Sequence, residues 1–490
     1  MVSSPIALMD PDAVLSRSAG MAADLRRLGV READRVAVSD TNSPGFIWAM
    51  QALMKLGCGV VLLDPALAVG DIRQYLGRAR VRWLISDTPA HQALGEEGTT
   101  TVLGLTDLVE NISQHPEDVG DNTSGWLSRD DGLTTVSSGS TGTPKLIARS
   151  GNAVLNNMRR TSARMSYQDS DILAPLIPFS HQYGMSLVLL ARVNRVPLLI
   201  TPYARLDHAL VAIADHGATV VDGTPSTFRS ATNFLRHRDE LRQRLSGVRM
   251  WCVGGAPLPQ AVASDFAELM GKPLLDGYGS TELGNIALAG PDAPHVMSAL
   301  DGVRISITGP DGSPCATGET GEIWVDSPDL MAGVIHGDGL HPQPRGMFRT
   351  GDFGYLDEHG GLHVIGRRGA VHRRGNTLYP DALSRKAAQL GVEVHIVPTP
   401  GRNGDVRLVF LVEDPSDADA LTWRRRLESV LARYEAPDRV LVLPEFPRLS
   451  NGKTDIVQLT AFAEAADVHT FRSKTFSPRP AMIGGSAGRR

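Results

Sequence analysis

The chain has 490 residues, of which 42% are hydrophobic and 21% charged, enough to bury a large core spread over roughly three domains or subdomains. A formal net charge of -5 at pH 7 gives no global attraction to nucleic acid or to an anionic membrane, and neither a nucleic-acid motif nor a bilayer-length apolar run is visible. Cys58, Cys252 and Cys315 lie far apart with no CxxC pair, which argues against a zinc site or a disulfide framework; with no signal-peptide pattern at the N-terminus, the expected location is cytoplasmic.

In chain order, apolar β-branched runs alternate with helical stretches. Val14 to Leu28 and Pro44 to Leu56 carry apolar residues three and four apart and predict helices, while Arg35 to Val38 and Gly59 to Leu63 predict strands. The alternation continues through strands at Val196 to Thr201 and Ala218 to Val221 and helices at Asp207 to His216 and Pro259 to Met270. It predicts an α/β fold with largely parallel sheets. After Gly302 shorter strands take over, with turns such as Gly309-Pro310-Asp311-Gly312. The expected fold class is α/β: a large N-terminal domain (1–365) of two α/β subdomains plus a small β-rich subdomain (301–365), then a small mobile α+β C-terminal domain. A hinge is expected at 366–370, the mobile domain at 371–465 with a helix around Ala418 to Arg433, and a disordered Ser-, Pro-, Gly- and Arg-rich tail at 466–490.

The densest chemistry lies in Val136-Ser137-Ser138-Gly139-Ser140-Thr141-Gly142-Thr143-Pro144-Lys145. Two glycines, a run of hydroxyls and one lysine suit a loop whose N–H groups converge on phosphate. The spacing is wrong for a Walker A loop, because a proline separates glycine from lysine and Leu146 follows the lysine. The loop resembles the signature of the adenylate-forming superfamily, which includes acyl- and aryl-CoA synthetases, peptide-synthetase adenylation domains and luciferases. Asp276-Gly277-Tyr278-Gly279-Ser280-Thr281-Glu282, Gly321 to Val325, Phe348-Arg349-Thr350-Gly351-Asp352 with Gly366-Arg367, and Pro447 to Lys453 follow in the family's order. The upstream segment Leu56 to Pro65 looks like the family's early strand and turn. In motif style the chain is most similar to acyl/aryl-CoA ligases.

The resemblance implies an AMP-forming ligase that activates an acyl or aryl carboxylic acid with ATP and passes it to a thiol, coenzyme A or a carrier-protein pantetheine. ATP and Mg2+ are the implied cofactors. Ser137, Ser138, Gly139, Ser140, Thr141, Gly142, Thr143 and Lys145 would hold the β- and γ-phosphates, and Thr281 would donate to the α-phosphate. Glu282 would be the magnesium ligand. Asp276, Gly277, Tyr278 and Gly279 would border the nucleotide, with Tyr278 stacked on adenine. Asp352 would accept both ribose hydroxyls, supported by Arg367, and Lys453 would stabilise the charge that builds between the acid and the α-phosphate. Lysine usage agrees: only six lysines stand among the 49 basic residues, and Lys145 and Lys453 are two of them.

For the acid pocket, Pro178 to Gly184 resembles the family segment in which His181 and Tyr183 would border the substrate; the plainer alternative makes it a helix start capped by Ser180. Thr224, Gly254, Gly255 and Ala256 would form further walls. The aspartate that amino-acid-activating relatives use for the ammonium is not apparent in that segment, which favours an uncharged acyl or aryl acid. The chain departs from the family at Gly366-Arg367-Arg368-Gly369-Ala370, which lacks the usual acid, and at Asp381-Ala382 after Tyr379-Pro380. These departures keep open nitrite activation for diazotisation of an aryl amine, or amide formation with an amine acceptor. The expected partners are a small-molecule acid and, for the pantetheine variant, a carrier protein, with no nucleic acid and no membrane; the protein would act as a monomer or homodimer. A silent scaffold is disfavoured because Lys145, Glu282, Asp352 and Lys453 are all retained.

Overall fold

The computed structural model describes residues 5–96, 100–113, 123–137, 145–337, 339–367, 370–373, 376–401, 405–416, 418–447 and 454–468. The loop residues Ser138, Gly139, Ser140, Thr141, Gly142 and Thr143, the hinge residues Arg368 and Gly369, the catalytic candidate Lys453 and the tail from 469 lie outside the described residues.

Two eight-stranded sheets form the body of the protein. In one, Leu198–Ile200, Leu173–Pro175, Val220–Gly223, Met250–Val253 and Leu274–Ser280 run parallel, and the hairpin strands Gly284–Gly290 and Ala293–Ala299 continue it antiparallel. In the other, Thr101–Leu103, Trp83–Ile85, Arg35–Val38, Gly59–Leu62 and Leu133–Ser137 run parallel, and Lys145–Arg149, Gly333–His336 and Gly339–Pro342 continue it antiparallel. The second sheet is therefore parallel at one side and antiparallel at the other, whereas the first is antiparallel at both ends, because Ala7–Met9 pairs antiparallel with Leu198–Ile200. Where consecutive strands pair, as in Leu133–Ser137 with Lys145–Arg149 and Gly284–Gly290 with Ala293–Ala299, the chain turns straight back and the pair is antiparallel, because a parallel neighbour would need a longer crossover.

The expected helices are present as Pro11–Leu28, Pro44–Lys55, Leu206–Asp215 and Gln260–Met270. Local chemistry sets the ends of the first. Asp10 accepts from the backbone N–H groups of Asp12 and Ala13, Pro11 fills the first turn, and Gly29 closes the helix at φ 105°. The β-rich part is a four-stranded antiparallel sheet of Arg304–Thr308, Gly321–Asp326, Phe348–Leu356 and Leu362–Arg367. One stretch inside the expected 301–365 boundaries leaves it. Strand Gly333–His336 pairs with Lys145–Arg149 instead, because Ile335 buries itself in the core that holds Leu146 and Ala148.

Beyond Arg367 the chain builds a hairpin of Val371–Arg373 and Asn376–Leu378, a three-stranded sheet of Val394–Pro400, Val406–Glu413 and Arg439–Leu443, and the helices Pro380–Ala387, Ala420–Val430 and Ile456–Val468. The last helix passes the expected start of the tail at 466. This α+β unit has apolar clusters of its own, one around Phe410, Trp423 and Leu427 and another around Phe446 and Leu459. It meets the body through Lys386, whose Nζ donates to Asp71 of the body at 2.6 Å while Glu435 of the unit itself accepts from it at 3.0 Å.

Candidate active site

A cleft of about 830 Å3 opens where the strand ends of both large sheets, the four-stranded sheet and the C-terminal unit converge. Ligands of open α/β sheets bind at the carboxyl ends of the strands, and Ser137 and the segment from Asp276 sit where the parallel parts of the two large sheets end, while Asp352 and Arg367 come from the antiparallel four-stranded sheet. Ser137 closes Leu133–Ser137 and stands opposite Lys145 in the register, so the described flanks of the phosphate loop form a hairpin. Within it Ser137 Oγ is buried with no described partner, while Lys145 is exposed.

On the nucleotide side, Asp352 and Arg367 stand opposite each other on neighbouring strands. Arg367 Nε donates to Asp352 Oδ1 at 2.6 Å and the Tyr278 hydroxyl donates to Oδ2 at 2.7 Å. Arg367 also donates to the Tyr379 hydroxyl at 3.0 Å. Burial works against the Arg367 charge, but the Asp352 carboxylate more than offsets it and raises the guanidinium further. Burial and the facing carboxylate push the Tyr278 phenol well up, so it stays a neutral donor. A carboxylate has about four lone-pair sites, so the clamp leaves acceptor capacity on Asp352 for further hydroxyls. Asp276 lines the same wall, its carboxyl pushed up to about 6 by burial against a 2.9 Å hydrogen bond from Gly277 N–H.

Thr281 and Glu282 occupy the turn between strands Leu274–Ser280 and Gly284–Gly290. The turn is held from beneath. Met331 N–H donates to the Glu282 carbonyl at 2.7 Å, and Gly284, at φ 74°, leaves the space beside it to the side chains of Asn157 and Arg149. Arg149 is 1% exposed and donates to the carbonyls of Leu283 and Asp329.

On the acid side, the structure corrects the helix start. Residues Gln182–Asn194 form the helix, His181 is its N-cap without a side-chain cap bond, and Ser180 Oγ is buried without a described partner. His181 turns instead into the cleft, where Nε2 meets Asp64 Oδ2 at 2.9 Å. Burial opposes both charges. The pair still prevails, holding His181 above and Asp64 below their ordinary values. Asn42 fixes the approach, donating to the Ile177 carbonyl at 2.9 Å and accepting from Phe179 N–H at 2.7 Å. Gly184 then packs where a Cβ would lie 2.0 Å from the Pro178 carbonyl oxygen. Gly184→Ala is expected to cost about 1–3 kcal/mol, at roughly 1–2 °C per kcal/mol in a domain of this size, and to raise KM for the acid. Thermal melts and steady-state kinetics test this, and native values for both would mean that the turn yields freely.

The structure brings Tyr183, Thr224, Gly254, Gly255 and Ala256 together on the wall of the cleft. Tyr183 packs its ring against Gly254, whose missing side chain makes room for it, and Thr224 caps the helix Pro225–Leu235 while lining the cleft. Sequence reasoning missed Asp64, Asp222, His372 and Tyr379, all of which line the cleft. Asp222 matters most, because the segment around His181 had offered no pocket aspartate. It arrives from strand Val220–Gly223 and accepts from the Tyr183 hydroxyl at 3.0 Å. An acid ending an otherwise apolar strand just before Thr224-Pro225 was the available signal.

The fold and this cleft define an adenylate-forming enzyme. The chain belongs to the AMP-binding enzyme family, whose sequence model matches residues 12–335. It is 29% identical over 462 residues to the feruloyl-CoA synthase of an Amycolatopsis species, covering 89% of this chain and 90% of that one. It is 24% identical over 452 residues to the 2-succinylbenzoate–CoA ligase of Bacillus velezensis, covering 88% and 89%. In structure it is similar to the o-succinylbenzoate CoA synthetase of Bacillus subtilis bound with a product analogue, with a TM-score of 0.78 at 21% identity over 92% of this chain and 93% of that one. The protein is an ATP-dependent, AMP-forming acid ligase of the acyl/aryl-CoA synthetase kind. Among the described residues, no helix is long and apolar enough to cross a membrane.

Proposed function

We propose that the protein activates an aryl carboxylic acid as its adenylate and transfers the acyl group to the thiol of coenzyme A. The observation that carries this reading is the continuity of one cleft, from the Asp352–Arg367–Tyr278 clamp to an apolar chamber lined by Met165, Leu187, Leu190, Leu288 and Met297. A chamber of that lining suits a carbon skeleton and offers little to a three-atom oxyanion such as nitrite. The similarity to feruloyl- and succinylbenzoate-CoA ligases points the same way.

In this reading Asp352 receives the ribose hydroxyls, held in place by Arg367 and Tyr278. Tyr278 presents its ring beside the base while its hydroxyl is occupied. Ser137 to Lys145 bind the outer phosphates, and Thr281 donates to the α-phosphate. A carboxylate oxygen of the acid attacks the α-phosphorus in line and pyrophosphate leaves, with Lys453 stabilising the charge that builds between them. The thiol sulfur then attacks the acyl carbon, and AMP departs with the carboxylate-derived oxygen.

Among the described residues no group of three His, Cys, Asp or Glu is placed to hold a metal alone. Glu282 fits a magnesium ion nevertheless, because that ion commonly takes one or two carboxylates and completes its shell with phosphate and water. When bound, magnesium neutralises charge on the phosphates as pyrophosphate leaves.

The test is AMP and pyrophosphate release with ATP and magnesium across aryl, fatty and amino acids and nitrite, with and without coenzyme A or an aryl amine. Turnover of an aryl acid that accelerates with coenzyme A is expected. AMP release that requires nitrite together with an amine would move the protein to diazotising chemistry, and no AMP under any condition would leave a silent scaffold.

A further inference from the structure

Asp222 is out of place in its surroundings. It sits 3% exposed in the apolar chamber, facing Cys252 across the strand register, with Tyr183 and Tyr167 beside it. Its Oδ1 accepts the Tyr183 hydroxyl, but its Oδ2 is buried with no hydrogen-bond partner among the described residues. A tie that only anchored Tyr183 would need one oxygen. Burying the second without a donor is costly, and such a group calls for an explanation.

Register gives its depth. Asp222 is level with Cys252, two residues inward of Gly254 on the neighbouring strand, a step of about 7 Å at the rise of a β-strand. With the carboxyl of the acid at the Gly254–Ala256 turn, an aromatic ring spans that step. A substituent on the carbon next to the carboxyl does not reach it.

Resting on the proposed aryl-acid reading of the cleft, we infer that Asp222, oriented by Tyr183, selects acids that carry a hydrogen-bond donor, a hydroxyl or a primary amine, on the ring remote from the carboxyl. The preferred substrate is thus a hydroxy- or amino-substituted aryl acid. Burial pushes the Asp222 carboxyl up to about 7 against the Tyr183 hydrogen bond, which lowers it. Whether ionised or neutral, the side chain retains an acceptor, so the ligand needs no positive charge. The flanking Tyr167, Tyr183 and Cys252 are all pushed well up by burial and remain neutral donors.

The experiment measures kcat/KM for pyrophosphate release with benzoic and cinnamic acids and their ring-hydroxy, ring-amino and ring-methoxy forms, in the native enzyme and in Asp222→Asn. The native enzyme should favour the best donor-bearing acid over its unsubstituted and methoxy counterparts by about 100-fold or more, since a site built to bond a hydroxyl rejects the analogue that lacks it. The hydroxy and amino arms identify which donor is read. In Asp222→Asn the Tyr183 hydroxyl still has a carbonyl acceptor and an N–H takes the place of Oδ2. Preference should therefore move toward the methoxy acid, while the melting curve stays near native. Equal use of hydroxy and unsubstituted acids by the native enzyme, or a selectivity ratio untouched in Asp222→Asn, overturns the role of Asp222 and leaves the ligase reading standing. Absence of turnover with every aryl acid, while ATP still binds, overturns both.

Discussion

Lys453→Ala is expected to leave ATP binding near its native strength and to lower the rate of adenylate formation by about 100-fold to 1,000-fold, the range seen when one preorganised donor to a developing charge is removed. The reasoning is differential. Attack of the acid concentrates charge between two oxygens and the α-phosphorus, and a lysine that meets this charge contributes mainly in the transition state. The scarcity of lysine in a chain with 49 Lys and Arg residues strengthens the assignment, because arginine serves for general surface charge here and a compact ammonium is kept at a motif position. Pyrophosphate release under saturating acid and ATP, set beside calorimetric binding of ATP, separates the two effects. Native turnover in Lys453→Ala would remove this lysine from the mechanism, and loss of ATP affinity with unchanged turnover at saturation would make it a binding residue.

Asp352→Ala is expected to weaken nucleotide binding by about 100-fold, equivalent to about 3 kcal/mol, since hydrogen bonds to a charged group contribute about 1.5–3 kcal/mol each. A second cost falls on the protein itself. Arg367, with 20% of its side chain exposed, loses the carboxylate it meets at 2.6 Å, and Tyr278 loses its acceptor. The melting temperature should therefore fall as well. Asp352→Asn separates the effects by keeping an acceptor for Tyr278 while removing the charge opposite Arg367. An unchanged dissociation constant for AMP in both variants would exclude the ribose role.

Much of this site was legible in the sequence because the family motifs are local in the chain, and several of them fall where the parallel strands of the large sheets end. Asp276 to Gly279, Asp352 and Arg367 meet there even though they come from separate parts of the chain. The apolar periodicities also located four helices to within a few residues. What stayed hidden was lateral. Asp64 meets His181, and Asp222 meets Tyr183, only because sheet order sets their strands and helix side by side, and one sequence carries no register between distant segments. A local search for a pocket acid around His181 therefore missed one arriving from Val220–Gly223. The escape of Gly333–His336 from the β-rich part has the same origin, since its apolar pattern fits either sheet and only the burial of Ile335 beside Leu146 decides. At Ser180 the local cap chemistry was plausible, yet the helix begins one residue later because His181 is drawn into the cleft.

The strand Met250–Val253 has consequences beyond catalysis. One face carries Cys252 into the chamber, while on the other Trp251 packs edge-on against Phe228 and Phe266, with ring centroids 6.1 Å and 5.3 Å away. Close-packed aromatic rings leave no slack for that floor to recede. The cleft lining also includes Met165 and Met297, unbranched side chains that repack readily. Divergence toward bulkier or slimmer substrates is thus channelled away from that strand, and laboratory evolution of substrate range has permissive positions at those two methionines.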